Sequence, residues 1–406
     1  MLALKKADWF YRLALIVVMF HFYAGPFIHS FKLTKISYGI GKYVFYSTLI
    51  LETLLFSCSF IFGRRQKNEK LDTIDYALLF SIFWAIAWTI YHVGSMEDII
   101  GNFLRIIMSF ACYHTTKRYL NTSSFLKFEK LFPKLGLFGV GIAVVFIYTF
   151  LILGRHVYIG LNTDSALPSF AQWITMTGNR FSYLSAILIV MGGKRGLILS
   201  MILAALFYHY FLGSKKKLFK IVFIGGIVIG LGMVTLSLGD LVKIVNVLPR
   251  PVYSRITPFL KDNSDDVNLR DATAGRNKEV EGVFALWKND PSIMVTGMGF
   301  GAWFVETTGV VDSSVHISPF ALAHIFGIPL ALFLLTIVFM QPILAVRRFS
   351  KNKDLQSIFW VVLCVSLLVE TFSVFEFFQN PVIWISLARI SQTYLSKEDG
   401  FSHNLV

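Results

Sequence analysis

Residues 319–348 read PFALAHIFGIPLALFLLTIVFMQPILAVRR. Between 319 and 345 there is no Asp, Glu, Lys or Arg, and the run closes on Arg347 and Arg348. About 20 consecutive apolar residues suffice to cross a bilayer as a helix. An uncharged run of that length ending on two arginines reads as a membrane span anchored at a cytoplasmic face. Comparable runs lie at 9–28, 40–62, 74–93, 99–115, 135–153, 197–212, 220–238, 355–378 and 381–395. Three of them, at 99–115, 197–212 and 381–395, are short or interrupted. The expected fold is therefore an all-α polytopic membrane protein of about 10–12 transmembrane helices with one large extracytoplasmic loop.

Composition agrees. The chain has 406 residues, 55% hydrophobic and only 15% charged, and its 38 Lys+Arg against 24 Asp+Glu give a net charge of +14. A soluble domain carries roughly 25% charged residues, so a water-soluble fold is excluded. A basic excess can signal nucleic acid. Here it falls in short clusters between apolar runs, where orientation in a membrane places it, so no nucleic-acid partner is expected. Cys58, Cys112 and Cys364 each lie alone in an apolar run, which argues against a disulfide framework or a zinc site. Lys5 and Lys6 precede the 9–28 run. That run is longer than a signal-peptide core and is read as an uncleaved first span.

The basic clusters set the sidedness. Arg64, Arg65, Lys67 and Lys70 form one; Lys117, Arg118, Lys127, Lys130 and Lys134 a second; Lys215, Lys216, Lys217 and Lys220 a third; Arg347, Arg348, Lys351 and Lys353 a fourth. All four are expected in the cytoplasm. The loop with Glu97 and Asp98, the 154–178 loop and the 239–318 loop then face outward, against which Lys32 and Lys35 are exceptions. Between the fourth and fifth spans, Phe125, Phe128, Leu131 and Phe132 alternate with Lys127, Glu129 and Lys130, a pattern suited to a helix on the membrane surface. The apolar piece 181–191 is too short to span, and the sidedness is kept by making it a re-entrant dip from outside. Arg195 then lies at the outer face. The chain divides into N-terminal helices (1–178), a re-entrant segment with central helices (179–238), the large loop (239–318) and C-terminal helices (319–406).

Within the loop, Val280, Val283, Phe284 and Trp287 recur at helical spacing, Asn289-Asp290-Pro291 ends that helix, and Gly297-Met298-Gly299-Phe300-Gly301 makes a tight turn. The glycines have no preceding strand and no GK[ST] element, so a nucleotide loop is rejected. The outer face gathers Arg180, Arg195, Arg250, Arg255, Arg270 and Arg276. Guanidinium groups pair bidentately with phosphate oxygens, so the cluster suggests an anionic, lipid-linked ligand, although loop arginines also pair with Asp265, Asp266 and Asp271 or remain solvated. His316 closes the loop and is the candidate general base, with His324 two turns deeper as a rival and a polar cap as its bland alternative. Arg105, Glu52, Glu370 and Glu376 fall inside spans, where ionisable residues are functional hypotheses by default. Arg105 either reaches the cavity or snorkels; the glutamates are read as structural partners for the arginines.

Three motifs together resemble the O-antigen ligase/polymerase family of bacterial envelope glycosyltransferases. Lys194-Arg195-Gly196-Leu197 is similar to the family's Ser-Arg-Gly element, with Lys in place of Ser or Thr. Ala274-Gly275-Arg276, then Trp287, Pro291 and Gly297-Met-Gly299-Phe300-Gly301, resembles its large-loop signature, with Val280 where relatives have Leu. His316 stands eleven residues before Gly327, as in the family's His-x10-Gly, with Ile317 in place of the common Asn. The likeness covers about residues 180–340; Arg255 also falls where relatives often carry an arginine.

The resemblance implies an inverting transfer of glycan from undecaprenyl diphosphate outside the bacterial cytoplasmic membrane, without nucleotide sugar, cofactor or metal. Arg195 and Arg276 would act on the diphosphate and His316 as base, with Arg255, Arg180, Arg250, Arg270 and Arg105 binding substrate. Implied partners are the lipid-linked glycan donor and acceptor, membrane lipid, a chain-length regulator and a flippase. A polymerase joining lipid-linked repeat units is favoured over a ligase handing glycan to lipid A-core. A polysaccharide flippase or transporter is the reading from a different class; it would usually show internal repeats, which this chain lacks.

Overall fold

The structure, a computed structural model, describes residues 2–31, 37–63, 71–92, 94–152, 164–175, 180–192, 195–212, 276–305, 311–312, 315, 317–352, 355–372 and 377–398. The described residues are overwhelmingly helical. In chain order the helices are α1 Leu2–Phe31, α2 Ser37–Phe62, α3 Thr73–Thr89, α4 Met96–Tyr119, α5 Ser123–Ile152, α6 Leu167–Thr175, α7 Leu184–Gly192 and α8 Arg195–Phe211, followed by α9 Arg276–Asn289, α10 Ile293–Thr296, α11 Ser318–Phe326, α12 Ile328–Asn352, α13 Leu355–Glu370 and α14 Pro381–Glu398. The all-α expectation holds apart from one antiparallel ribbon. In it β1 Phe304–Val305 pairs with β2 Val311–Asp312 in the register Phe304 opposite Asp312.

Local chemistry sets several boundaries. Asp72 caps α3, accepting from the amides of Ile74 and Asp75, while Asp75 reaches back to the Asp72 amide, all at 3.0 Å. These side chains satisfy amides that a helix start otherwise leaves unpaired. Ser95 caps α4, and that helix carries Glu97 and Asp98 in its first turn and Lys117 and Arg118 in its last, matching the helix dipole at both ends.

The expected 319–345 span is interrupted. Gly327 has φ +82° and ends α11, its amide donating to Ala323 O at 2.9 Å. Pro329, two residues on in the first turn of α12, cannot supply the amide a helix continuing from α11 needs. The freed end is occupied by Trp84, whose Nε1 donates to Phe326 O at 3.1 Å and to Thr296 O at 2.8 Å. Hydropathy averaged over this stretch hides the break; the Gly-Ile-Pro triplet carries it.

The surface-helix expectation for 125–132 is also corrected. These residues belong to the continuous α5, which runs on through Pro133. Phe125, Phe128 and Phe132 are buried, and so is Glu129, which accepts from Trp360 Nε1 at 2.5 Å and from Arg389 Nε at 3.5 Å. Leu131 remains half-exposed.

Packing centres on α13 and α14, which pack on each other and on α12, while α4 lies along α14 and α8 along α13. Val382, Ile383, Trp384, Ile385, Leu387 and Ala388 on α14 are fully buried, so the first turns of this helix are enclosed on every side. Such a helix belongs inside a bundle or a membrane. Ser109 on α4 donates to Phe378 O at 3.2 Å, which ties α4 to the start of α14. The outer faces are apolar as well. Leu54, Ile61, Phe80, Phe83, Ile90, Phe138, Leu199 and Leu332 are all exposed. Among the described residues, one stretch, Ile328–Val346, is long and apolar enough to cross a membrane, and Tyr46–Phe62, Thr73–Thr89, Gly196–Phe211, Leu355–Glu370 and Pro381–Ser391 are shorter apolar helices.

Candidate functional site

The site grows from the glycine loop. After α10 the chain turns at Gly297, with φ +70°, a conformation that side chains with a Cβ rarely adopt. A Cβ there would come within 2.3 Å of Ile325 O and 2.5 Å of Gly327 N. The amide of Met298 donates to His324 O and that of Gly299 to Ile325 O, both at 2.9 Å. The loop thus takes up carbonyls in the last turn of α11. On its other side, Phe300 N donates to Thr89 Oγ1 at 2.8 Å, and Asn102 Nδ2 donates to Phe300 O at 2.7 Å. Four bonds therefore fix the loop between the end of α3, the first turns of α4 and the end of α11.

Arg105, one turn after Asn102 on α4, lies beneath this loop. Its Nη1 donates to Asn102 Oδ1 at 3.0 Å, and its Nε is buried with no hydrogen-bond partner among the described residues. It borders a cavity of about 10 Å³ lined by Asn102, Ile106, Phe300, Ile325, Phe326 and Phe378. That is room for roughly one water molecule.

α9 stands beside the loop. Val283 and Trp287 are buried as their spacing suggests, whereas Phe284 is exposed and meets Phe320 edge-on with ring centres 5.7 Å apart. Arg276 is the first residue of α9, Arg195 the first of α8, and Arg180 opens a short 3-10 turn, Arg180–Tyr183. His316, Arg250, Arg255 and Arg270 lie outside the described residues, as does Glu376. The neighbours of His316 are held firmly: Val315 and Ser318 are buried, and Ser318 N donates to Thr371 O at 3.2 Å. Of the predicted cations, Arg105 is the one whose side-chain surroundings are described, and they bring it to the glycine loop.

His324 is buried, and its Nε2 lies 3.0 Å from Trp303 O. A carbonyl only accepts, so Nε2 carries the proton and Nδ1 is left as a buried lone pair without a partner among the described residues. No surface opens onto it, which makes His324 a poor base for an external hydroxyl.

A second polar cluster at the opposite end of α3 and α4 escaped the sequence reading. Lys117 Nζ reaches Asp72 Oδ2 at 2.6 Å and Asp75 Oδ2 at 2.8 Å. Asp75 Oδ1 accepts from His114 Nδ1 at 3.1 Å, and Tyr113 bridges Asp72 to Ser391 on α14 at 2.7 and 3.1 Å. Arg118 Nη2 lies 3.3 Å from His114 Nε2, so the imidazole stands between the guanidinium and the Asp75 carboxylate. Lys117 belongs to the basic cluster expected at the cytoplasmic face, and it is buried. The Asp72-x-x-Asp75 cap and the three-residue step from His114 to Lys117 are the signals that mark the cluster.

Among the described residues no three His, Cys, Asp or Glu side chains gather as metal ligands would. The chain matches no protein-family model and no curated protein.

Proposed function

We propose that this chain is a membrane-embedded glycosyltransferase that polymerises undecaprenyl-diphosphate-linked repeat units on the outer side of a bacterial cytoplasmic membrane. The observation that carries the reading is the meeting of Gly297 and Gly327. Both belong to the motifs by which the sequence resembles the O-antigen ligase/polymerase family. They lie thirty residues apart in the chain, yet their backbones touch at a distance only glycine allows. A chance match between separate motifs gives no reason for such a contact.

Two further features favour it. Arg195 and Arg276 each open a helix. A helix start carries partial positive charge and disfavours a cation unless an anion offsets both. A diphosphate supplies that anion. The exposed apolar faces of α2, α3 and α5 suit a lipid surrounding, since soluble proteins rarely leave such area in water.

In this reading the acceptor hydroxyl attacks the anomeric carbon of the donor glycan from the side opposite the diphosphate. The new C1–O bond forms as the C1–O–phosphate bond breaks, the electron pair leaves with undecaprenyl diphosphate, and the hydroxyl proton passes to His316. Arg195 and Arg276 offset the charge growing on the leaving group, often the largest contribution to such a reaction. The polymer is joined with inversion. Analysis of surface glycan from a deletion strain tests polymerase against ligase. Single repeat units on lipid A-core indicate a lost polymerase; long polymer retained on undecaprenyl diphosphate indicates a lost ligase and overturns the polymerase reading.

A further inference from the structure

We infer that His21 and Glu52 form a proton-binding site in the middle of the α1–α2–α4 bundle, loaded from its cytoplasmic end. Glycosyl transfer uses neither residue, and the site stands independently of that reading. Glu52 lies ten residues before the end of α2, about 15 Å along the helix, or half of a hydrocarbon core roughly 30 Å thick. His21 lies twelve residues after Trp9 on α1, at a matching depth. Its Nδ1 meets both carboxylate oxygens of Glu52, at 3.0 and 3.1 Å. The carboxylate is fully buried and the imidazole is 17% exposed. Among the described residues no Lys or Arg reaches Glu52, so its ionic partner is an imidazole. Ionisable side chains held inside a membrane mark function, proton relays included.

Charge balance says what the site takes up. With His21 Nδ1–H donating to an ionised Glu52, the pair carries one net negative charge. A buried charge of that kind is costly unless it is offset. One added proton makes the pair neutral, as carboxylate beside imidazolium or as carboxylic acid beside neutral imidazole. A proton needs no cavity, and imidazole is the side chain suited to exchanging one at physiological pH.

The surrounding groups give the direction of loading. On α4 the Cys112 thiol feels the Glu52 charge, and Thr116, one turn on, adjoins both that thiol and the Tyr11 hydroxyl of α1. Tyr11 stacks on Tyr119 with ring centres 4.7 Å apart and feels the charge of Asp8, a partly exposed carboxylate one turn nearer the N-terminus. Tyr11 Oη and Thr116 Oγ1 are sealed from solvent, yet neither makes a well-formed hydrogen bond among the described residues. Buried polar atoms are normally bonded, and exceptions call for a role. Two hydroxyls free to turn can accept a proton on one side and release one on the other. Toward the outer face the lining changes. Tyr46 of α2 stands beside Arg105 of α4, and α5 closes on α1 through Tyr23, whose hydroxyl donates to Phe132 O. The fixed positive charge of Arg105 opposes a proton on that side. In the orientation set by the basic clusters, the open side is the cytoplasm.

The test uses the purified full-length protein in liposomes, with isotope-labelled histidine. Infrared difference spectra read the carboxyl group and nuclear magnetic resonance reads the His21 ring. Across about pH 5–8 the pair should take up one proton, seen as the carbonyl stretch of a protonated carboxyl or as an imidazolium signal. Glu52→Gln should abolish that uptake, and His21→Gln should change the proton affinity of Glu52 by about tenfold or more, one pH unit. Folded wild-type protein in which neither signal changes with pH holds a fixed structural pair and overturns the inference. Should Glu52→Gln not fold, Glu52→Asp keeps the acid and should move the titrating signal; an unmoved signal belongs to other groups and overturns the site. After a rapid pH jump, Tyr11→Phe should take up the same amount of proton severalfold more slowly than wild type. Equal rates overturn the cytoplasmic route. None of these measurements depends on glycan polymerisation, so the site and the glycosyltransferase reading stand or fall separately.

Discussion

Gly297 and Gly327 are packed backbone against backbone: a Cβ added to Gly297 would stand 2.5 Å from the Gly327 amide nitrogen. Both residues have positive φ, so a side chain at either position meets torsional strain as well as collision. Left-handed torsions alone cost roughly 1–2 kcal/mol per residue. Gly297→Ala and Gly327→Ala should each lower stability by about 3 kcal/mol or more, and the double variant should lose less than the sum because both changes open the same junction between the loop and the end of α11. Thermal unfolding in detergent reads this out. A loss below about 1 kcal/mol for both single variants would contradict the contact.

The buried lysine makes a separate prediction. Lys117→Met leaves Asp72 and Asp75 facing each other without their shared cation. Removing one member of a buried ion pair typically costs about 3–5 kcal/mol. Adding Asp72→Asn and Asp75→Asn to Lys117→Met should recover much of that loss. A Lys117→Met protein as stable as wild type would mean the pairs do not form.

The helices were legible because they are written in apolar runs. The first sixteen residues of the 355–378 run form α13, which ends at Glu370, and the apolar spacing around Val283 lies in α9. What the sequence hid were contacts between distant residues. Nothing local at Glu129 says that its partners are Trp360 and Arg389, so an alternating segment looked like a surface helix. Lys117 sits among basic residues, and its burial shows only once α3 is packed against α4. The candidate site was legible as a glycine turn, because Gly-x-Gly-x-Gly announces unusual backbone. That Asn102 would link the turn to Arg105 was not, because it requires the register of α4 against the loop.

Membrane orientation gives a third prediction. Single cysteines at Ser264 and Ser313, placed in a chain whose native cysteines are replaced, should react with an impermeant maleimide in intact cells. A cysteine at Lys216 should react only after permeabilisation. These positions lie outside the described residues, so the prediction rests on the charge clusters alone. The reverse labelling pattern would invert the orientation and remove the proposed site from the outer face.

Arg195 and Arg276 give a fourth. If both stabilise the leaving diphosphate, Arg→Lys at either position should impair turnover and Arg→Ala should impair it more. Removing one donor to a developing charge typically costs about 10²–10³-fold in rate. Normal polymer from Arg276→Ala at wild-type protein level would take that residue out of the reaction.

The most direct test is polymerisation by the purified protein in liposomes supplied with undecaprenyl-diphosphate-linked repeat units, with no nucleotide and with chelator present. The account predicts polymer of many units, release of undecaprenyl diphosphate, and a newly formed linkage inverted relative to the donor anomer. His316→Gln keeps a hydrogen-bonding side chain but cannot take up the proton near neutral pH, and should slow the reaction by roughly 10²–10⁴-fold. Absence of any polymer from folded wild-type protein that binds the lipid-linked unit, or retention of the donor configuration in the product, would contradict it.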